Sequence, residues 1–180
     1  MNAVDRPIPV PDIDPAAFRG ALRQLAGAVS VVTAGAGPQR VGLTATAVTS
    51  LSVTPPTILV CIDGASSSLH GLLAHRHFAV NVLTDRQQPL ADRFAGRTGL
   101  KGADRFQGAE WLALASGAPA LVGALAVIDT ELEDAIVRHS HTLLIGRVKA
   151  VMVDASAGAL LYWRGQYRTL PGEPAPDGGS

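Results

Sequence analysis

The chain has 180 residues, of which 47% are hydrophobic and 4% aromatic, and its formal net charge at pH 7 is zero. This length suits one domain with a sizeable core, and balanced charge without a run of like charges argues against nucleic acid or an anionic membrane surface as a partner. Because Pro, Gly and Asp dominate both ends, we predict a folded domain over residues 14–170 between a flexible segment, residues 1–13, and a disordered tail, residues 171–180.

The N-terminal residues show no sign of export. They lack the basic start and apolar run of a signal peptide. Further along, no stretch approaches the roughly 18 uninterrupted apolar residues of a membrane helix. We therefore expect a cytoplasmic protein.

The first third of the chain predicts one helix followed by three strands. Asp14 is a suitable N-cap and Pro15 a suitable first helical residue, and the inward apolar face would carry Phe18, Leu22 and Leu25. The predicted strands cover residues 29–34, 41–52 and 57–63. The glycines between the first two strands lack the spacing of a dinucleotide-binding fingerprint and predict a hairpin turn. The single Cys61, in the third strand, is expected to be a small buried side chain.

The remainder of the chain alternates short helices with strands. Ser66 or Ser67 is expected to cap a helix that ends near His75, and a second helix covers residues 89–94. The Gly-rich polar residues 97–108 predict a mobile loop. Further strands are predicted at residues 78–84, 124–137, 143–153, 159–163 and 166–169. Because strands outnumber helices and few connections could hold crossover helices, the pattern favours a β-barrel over a doubly wound sheet.

The strand at residues 42–52 is rich in hydroxyl groups, with Thr44, Thr46, Thr49, Ser50 and Ser52 between small apolar residues. Slim side chains and short hydroxyl donors suit the approach of a planar ligand to the backbone. The alternative is an ordinary Thr-rich strand with one solvated face, since Thr favours sheets.

Five motifs follow one another in this order: Phe18-Arg19 with VVT at 31–33, GLTAT at 42–46 with SLSVTPP at 50–56, FAVNVL at 78–83 with Arg93-Phe94, HTLLIGRV at 141–148, and LLYWRGQYRTL at 160–170. Together they resemble the short-chain flavin reductase family, the FMN-binding split-barrel reductases of two-component flavin monooxygenases such as the 4-hydroxyphenylacetate enzyme. The resemblance implies a mainly β fold with short helices, a split barrel of Greek-key type.

The resemblance also implies a flavin site. It places the flavin ring and ribityl chain along the residues Leu43, Thr44, Ala45, Thr46, Ala47 and Ser50, with Thr46 as the strongest candidate. The main chain of Cys61, Ile62 and Asp63 would lie near the flavin, and Ser67 and Ser68 would bind its phosphate, although simple helix capping is an alternative for these serines. Arg93 and Phe94 would reach the flavin phosphate or adenylate. Without the resemblance, Arg93 would be interpreted as a solvated charge.

For the nicotinamide, the resemblance points to His141 as the catalytic residue, able to donate a hydrogen bond to the carboxamide. Tyr167 would form a wall of the same pocket, or it would only seal the barrel. No metal is expected, because no Cys or carboxylate cluster accompanies the nearby His139.

The implied activity is hydride transfer from NADH or NADPH to FMN or FAD, by a homodimer whose flavin sites borrow residues from the partner chain. Reduced flavin would pass to a separate monooxygenase. A second hypothesis is a non-catalytic module that stores FMN or senses its redox state. Such a module would not need a nicotinamide site, so His141 and Tyr167 favour the enzyme.

Overall fold

The computed structural model describes residues 12–154 and 156–172. Its helices are α1 (Pro15–Leu22), α2 (Leu69–His75) and α3 (Gln88–Phe94), with 3₁₀ helices at Gly37–Gln39 and Gly102–Phe106. Its strands are β1 (Gly27–Ala28), β2 (Ser30–Ala34), β3 (Val41–Ala45), β4 (Val48–Val53), β5 (Pro56–Asp63), β6 (His77–Val82), β7 (Trp111–Ala113), β8 (Pro119–Leu121), β9 (Ala126–Arg138), β10 (His141–Val153), β11 (Ala159–Trp163) and β12 (Gln166–Leu170). The predicted mainly β fold with short helices is confirmed.

The main sheet has seven antiparallel strands in the order β3-β2-β6-β9-β10-β5-β4. A smaller sheet has the order β1-β11-β12, and β7 pairs with β8. The two larger sheets meet where the Val29 N–H donates to the Leu160 carbonyl and the Leu160 N–H donates to the Leu83 carbonyl. This junction brings the C-terminal hairpin beside the beginning of β2.

The core consists of two hydrophobic clusters built largely from Val, Leu and Ala. One cluster lies under α3 and contains Phe94 and Phe106, whose rings pack edge to face with a centroid distance of 4.9 Å. The other contains Phe78 and the buried Leu72 of α2. Each Phe ring buries a large apolar area, so the few aromatic residues contribute strongly to the core.

A buried polar group fixes the β7–β8 hairpin to the main sheet. The Asn81 side chain donates to the Val31 carbonyl at 2.9 Å and accepts from the Leu121 N–H at 2.7 Å. Thr33 Oγ1 donates to the Pro119 carbonyl at 2.5 Å. These bonds satisfy buried backbone groups that would otherwise be costly to desolvate.

Helix α1 begins as predicted, but the prediction of its inward apolar face is wrong. Asp14 caps it by accepting from the N–H groups of residues 16 and 17. Phe18 is 57% exposed and Leu25, beyond the helix, is 70% exposed. The reason is that polar contacts hold this region: Gln24 bonds to Trp163 and Arg164 of the C-terminal hairpin.

The strand predicted over residues 41–52 is in fact two strands, separated at Thr46 and Ala47. β3 pairs with β2 and β4 pairs with β5, at opposite ends of the strand order. The Ala47 carbonyl accepts from the Cys61 N–H at 2.9 Å, where the chain turns from one partner to the other. Different pairing partners therefore break the strand, although local propensity favours its continuation.

Three smaller predictions also differ from the structure. The sequence predicts a mobile loop at residues 97–108, but they contain a 3₁₀ helix whose Phe106 is 1% exposed. The N-cap of α2 is Ser68, whose side chain makes no capping bond, and not Ser66 or Ser67. Cys61 is only partly buried, because it lies on the less covered face of β5.

The predicted flexible segments, residues 1–13 and 171–180, fall outside the described residues except at positions 12, 13, 171 and 172, so the domain boundaries stay a prediction. Among the helices that the structure describes, none is both long and apolar enough to cross a membrane.

Candidate functional site

A first cleft of about 350 Å³ opens beside the beginning of β3. Its lining residues are Val41, Gly42, Ser67, Ser68, Lys101, Gly102 and Arg105. Two of these residues are cationic, two carry hydroxyl groups and none is acidic. This composition suits an anionic group such as a phosphate.

The Gly42 carbonyl organises this cleft by accepting two hydrogen bonds. Ser68 Oγ donates to it at 2.8 Å and Arg105 Nη1 at 3.2 Å. Arg105 Nε donates to the Leu100 carbonyl at 3.0 Å. A guanidinium has five N–H donors, so Arg105 keeps others for a ligand while these bonds hold its plane.

Position 42 has no room for a side chain. A Cβ there would lie 2.6 Å from Cε1 of Phe94. Phe94 in turn packs edge to face on Phe106 and Trp111. Phe94 therefore lies beneath the strand and supports the floor of the first cleft.

A second cleft of about 180 Å³ lies further along the same strand. Its lining residues are Val29, Thr44, Ala45, Thr46, Ala95, Arg97, Tyr162 and Tyr167. Thr44 Oγ1 donates to the Ala91 carbonyl of α3 at 2.7 Å, whereas Thr46 is exposed. Thr46 thus offers its hydroxyl to a ligand, and Thr44 mainly anchors the strand to the helix.

The wall of the second cleft is aromatic and carries one cation. The Tyr162 and Tyr167 rings pack edge to face with their centroids 5.4 Å apart. The Arg97 guanidinium lies 5.4 Å from the Tyr167 ring centre and pairs with Asp92 at 2.7 Å. Burial, and secondarily the Asp92 carboxylate, raise the pKa of Tyr167 above its usual value, so its phenol is neutral near pH 7.

The two clefts are joined by one strand. Gly42 and Thr44 are two residues apart in β3, so they share one face of the strand, and Thr46 is the first residue after it. The distance from Gly42 to Thr44 is roughly 7 Å at the usual rise of a strand. An elongated molecule with an anionic end and a flat end would fit this arrangement.

Some predicted flavin residues line these clefts, and others do not. Thr44, Ala45 and Thr46 line the second cleft, and Ser67 and Ser68 line the first. Leu43 packs against a core cluster, and Ser50 is exposed on β4. Ala47 and Cys61 are joined by a backbone hydrogen bond. Ile62 is buried, and Asp63 Oδ1 accepts a hydrogen bond from the Ala65 N–H.

The Arg93-Phe94 pair lies outside both linings. Arg93 Nη1 donates to the Gln107 carbonyl, which ties α3 to the end of the 102–106 helix. Phe94 is almost fully buried. In this structure the pair thus supports the segment that carries Arg105.

His141 is exposed at the beginning of β10, opposite Asp63 of β5. Its Nδ1 lies 2.9 Å from Ser140 Oγ. His141 is not among the residues that line either cleft, so one chain does not bring it together with Tyr167. Within residues 12–154 and 156–172, no group of three or more His, Cys, Asp or Glu is arranged to hold a metal.

The sequence analysis missed four lining residues with charged or aromatic side chains: Arg97, Lys101, Arg105 and Tyr162. Three of them lie in the segment predicted to be a mobile loop. The cations in that segment were a usable signal, since a Gly-rich loop with basic residues suits phosphate binding. Tyr162 belongs to the same closing motif as Tyr167 and pairs with it across the hairpin, and the motif was its signal in the sequence.

Comparison with known proteins identifies the family of this chain. The family model described as a flavin reductase like domain matches residues 22–171. The chain is 42% identical over 162 residues to a protein of Methylorubrum extorquens named FMN reductase (NADH) RutF 1, covering 90% of this chain and 80% of that one.

Solved structures are similar as well. BorF, the flavin reductase component of a bacterial two-component tryptophan halogenase, aligns with a TM-score of 0.81 and 34% identity over 89% of this chain and 100% of that one. The NADH:FAD oxidoreductase SgcE6 of Streptomyces globisporus C-1027, in complex with NAD and FAD fragments, aligns with a TM-score of 0.78 and 29% identity over 94% of this chain and 100% of that one. The predicted split-barrel fold is thereby confirmed. The chain belongs to the flavin reductase family.

Proposed function

We propose that the chain is an NADH-dependent reductase of FMN that supplies reduced flavin to a separate monooxygenase. The observation that carries the proposal is the single strand β3, which connects a cationic cleft at Gly42 with an aromatic cleft at Thr44 and Ala45. FMN has the matching form, with a phosphate at one end and a flat ring system at the other. When bound, the flavin supplies the ring that accepts a hydride, and the protein supplies binding and orientation.

The first cleft binds the flavin phosphate in this proposal. Arg105 and Lys101 provide the positive charge, and the Ser67 hydroxyl provides a further donor. Ser68 acts differently from the sequence expectation, because its hydroxyl already donates to the Gly42 carbonyl. Its role is to hold Gly42 and the α2 end of the cleft together.

The second cleft takes the ring system. Ala45 and the exposed Thr46 offer slim side chains beside the backbone, and Tyr167 limits the cleft on the other side. A neutral phenol suits this position, since an anionic one would repel the electron-rich reduced flavin. Close fixed contact between the rings of donor and acceptor is the main requirement of hydride transfer.

NADH is the proposed donor, in keeping with the names of the RutF and SgcE6 relatives. FAD and NADPH are alternatives that a substrate comparison decides. His141 is the proposed contact to the nicotinamide carboxamide. Because it lies outside both clefts of its own chain, we propose a homodimer in which His141 completes the site of the partner.

The exposed apolar residues support a dimer. Phe18, Leu25, Val53 and Val151 are each more than half exposed, and contact with a partner chain would bury such apolar side chains. The partner oxygenase is proposed from relatives such as BorF, which is a component of a two-component halogenase. A cytoplasmic location stays a prediction.

The test is anaerobic mixing of the purified protein with NADH and excess FMN, followed at the absorbance band of oxidised flavin. Parallel reactions contain FAD, riboflavin or NADPH. Rapid bleaching with NADH and FMN is expected. If flavin binds but neither nicotinamide bleaches it, the enzyme proposal fails and the flavin-storage or redox-sensing module takes its place.

A further inference from the structure

Arg40 has an unusual position next to the first cleft. It follows the Gly37–Gln39 helix, and its guanidinium carbon lies 4.5 Å from the centre of the Phe106 ring. Its Nη2 donates a long bond to the Ala103 carbonyl at 3.5 Å. Arg40 Nε is buried and has no hydrogen-bond partner among the described residues.

This arrangement is costly for Arg40 itself. A buried N–H of a charged group without an acceptor loses its hydration and gains little in return. The compensating contacts are the Phe106 ring, through a cation–π interaction, and the Ala103 carbonyl. Both belong to the Gly102–Phe106 helix, so the side chain is fixed to that helix. Within the described residues, the Arg40 guanidinium has no hydrogen-bond partner outside it.

The Gly102–Phe106 helix is the element that brings positive charge to the first cleft. Lys101 immediately precedes it, and Arg105 lies within it. Phe106, on which Arg40 lies, is the next residue after Arg105 and anchors the helix in the core. Movement of this anchor would change the position of the Arg105 guanidinium relative to Gly42.

We propose that Arg40 is a positioning residue for flavin phosphate binding, acting through Phe106 and Ala103 to hold Arg105 at the cleft. This inference rests on the proposed function, because it takes the first cleft to be the phosphate site. Arg40 is not among the residues that line the cleft. It therefore selects phosphorylated flavins indirectly, by setting the orientation of Arg105.

The experiment compares FMN with riboflavin, which lacks the phosphate. Dissociation constants are measured by quenching of flavin fluorescence for the wild type, Arg40→Met and Arg40→Lys. Arg86→Met is the matched control, since Arg86 is exposed and outside both clefts.

Arg40→Met is expected to weaken FMN binding about tenfold, the usual effect of losing one hydrogen bond to a charged group. Riboflavin binding should change by less than about twofold, within the scatter of a surface substitution.

The Lys variant separates positioning from simple charge. Lys keeps the positive charge but lacks the planar fork that lies on Phe106. We expect Arg40→Lys to resemble Arg40→Met. If Arg40→Lys restores wild-type FMN affinity, long-range attraction explains the effect and the positioning role is wrong.

A double-mutant cycle with Arg105→Met completes the test. If Arg40 acts through Arg105, then Arg40→Met should cause no further loss of FMN affinity when Arg105 is already Met. Additive losses would overturn the inference, as would equal losses for FMN and riboflavin, which indicate general unfolding of the site. If Arg105→Met itself leaves the ratio of FMN to riboflavin affinity unchanged, the phosphate assignment of the cleft is what fails.

Discussion

The Phe94 ring lies directly against the backbone of Gly42, with Cε1 only 2.6 Å from where a Cβ at position 42 would be. This contact links two motifs that were assigned separate ligand roles, Gly-Leu-Thr-Ala and Arg-Phe. Phe94 belongs to the packed floor of the first cleft. Because Gly42 has no side chain, the strand lies close to this ring while its carbonyl accepts hydrogen bonds from Ser68 and Arg105. The absence of a side chain at Gly42 is therefore part of the site.

Gly42→Ala should destabilise the protein and disturb the cleft. The added methyl group must displace a buried ring that is itself packed on Phe106, and such overpacking costs about 1–3 kcal/mol. Chemical denaturation measures the loss. Gly20→Ala is the control, since a Cβ at Gly20 meets nothing within 4 Å and favours the helix. Adding Phe94→Leu to Gly42→Ala should recover part of the loss, and an unchanged loss would contradict the steric explanation.

Lys101→Met should weaken the binding of FMN but not that of riboflavin. Lys101 is exposed, so solvent and salt screen its attraction for phosphate. Its loss should therefore raise the dissociation constant for FMN only a few-fold, which corresponds to about 1 kcal/mol or less. The KM for FMN in the variant should also depend less on salt concentration. Lys149→Met is the control, because Lys149 pairs with Glu131 on the β9–β10 hairpin, away from the clefts. An equal effect of both substitutions would argue against a phosphate site at Lys101.

The reductase activity should depend on the aromatic ring of Tyr167 and not on its hydroxyl. Tyr167→Phe keeps the edge-to-face contact with Tyr162, and we expect kcat/KM to fall less than about threefold. Tyr167→Leu removes the aromatic wall and should lower kcat/KM for NADH and FMN about tenfold or more, since about 1.4 kcal/mol of lost contact equals tenfold. Steady-state kinetics compare the two. A large loss in Tyr167→Phe would instead assign a role to the phenol.

Protonation of His77 should lower the stability of the folded protein in acid. Burial, followed by the charge of the nearby His75, lowers the pKa of His77 below its usual value, while Asp129 has a smaller opposite effect. The imidazole Nε2 accepts from the Gly35 N–H at 3.3 Å, which requires that nitrogen to be unprotonated. A lowered native pKa means that the unfolded chain binds the proton first. The His77 contribution is therefore present above about pH 6.5 and lost as the pH falls below it.

Urea unfolding at pH 8 and pH 5 tests this dependence. His77→Gln should reduce the difference in unfolding free energy between the two pH values, because Gln does not titrate. His70→Gln, at an exposed position on α2, should leave the difference unchanged. The explanation is wrong if the wild type and His77→Gln lose the same stability in acid.

The motifs in the amino-acid sequence were sufficient for the fold class and the family, and they identified several residues that line the two clefts. Asp14 and Pro15 begin α1 because capping depends on neighbouring residues alone. The bounds of β11 and β12 were also predicted almost to the residue, since their pattern is local. Thr44, Ala45, Thr46, Ser67 and Ser68 were identified through motifs that the family shares, and they do line the two clefts.

Only the tertiary structure decided which residues meet across long stretches of chain. The break at Thr46 and Ala47 arises because β3 and β4 pair with different strands, and no local signal records those partners. Arg105 reaches the Gly42 carbonyl across 63 residues, and Arg40 reaches Phe106 from the β2–β3 connection. The side chains of α1 looked like a core face, yet polar contacts at Gln24 leave them exposed. Local patterns determine which elements form, whereas the assembly of the sheets and loops determines which side chains come together at the clefts.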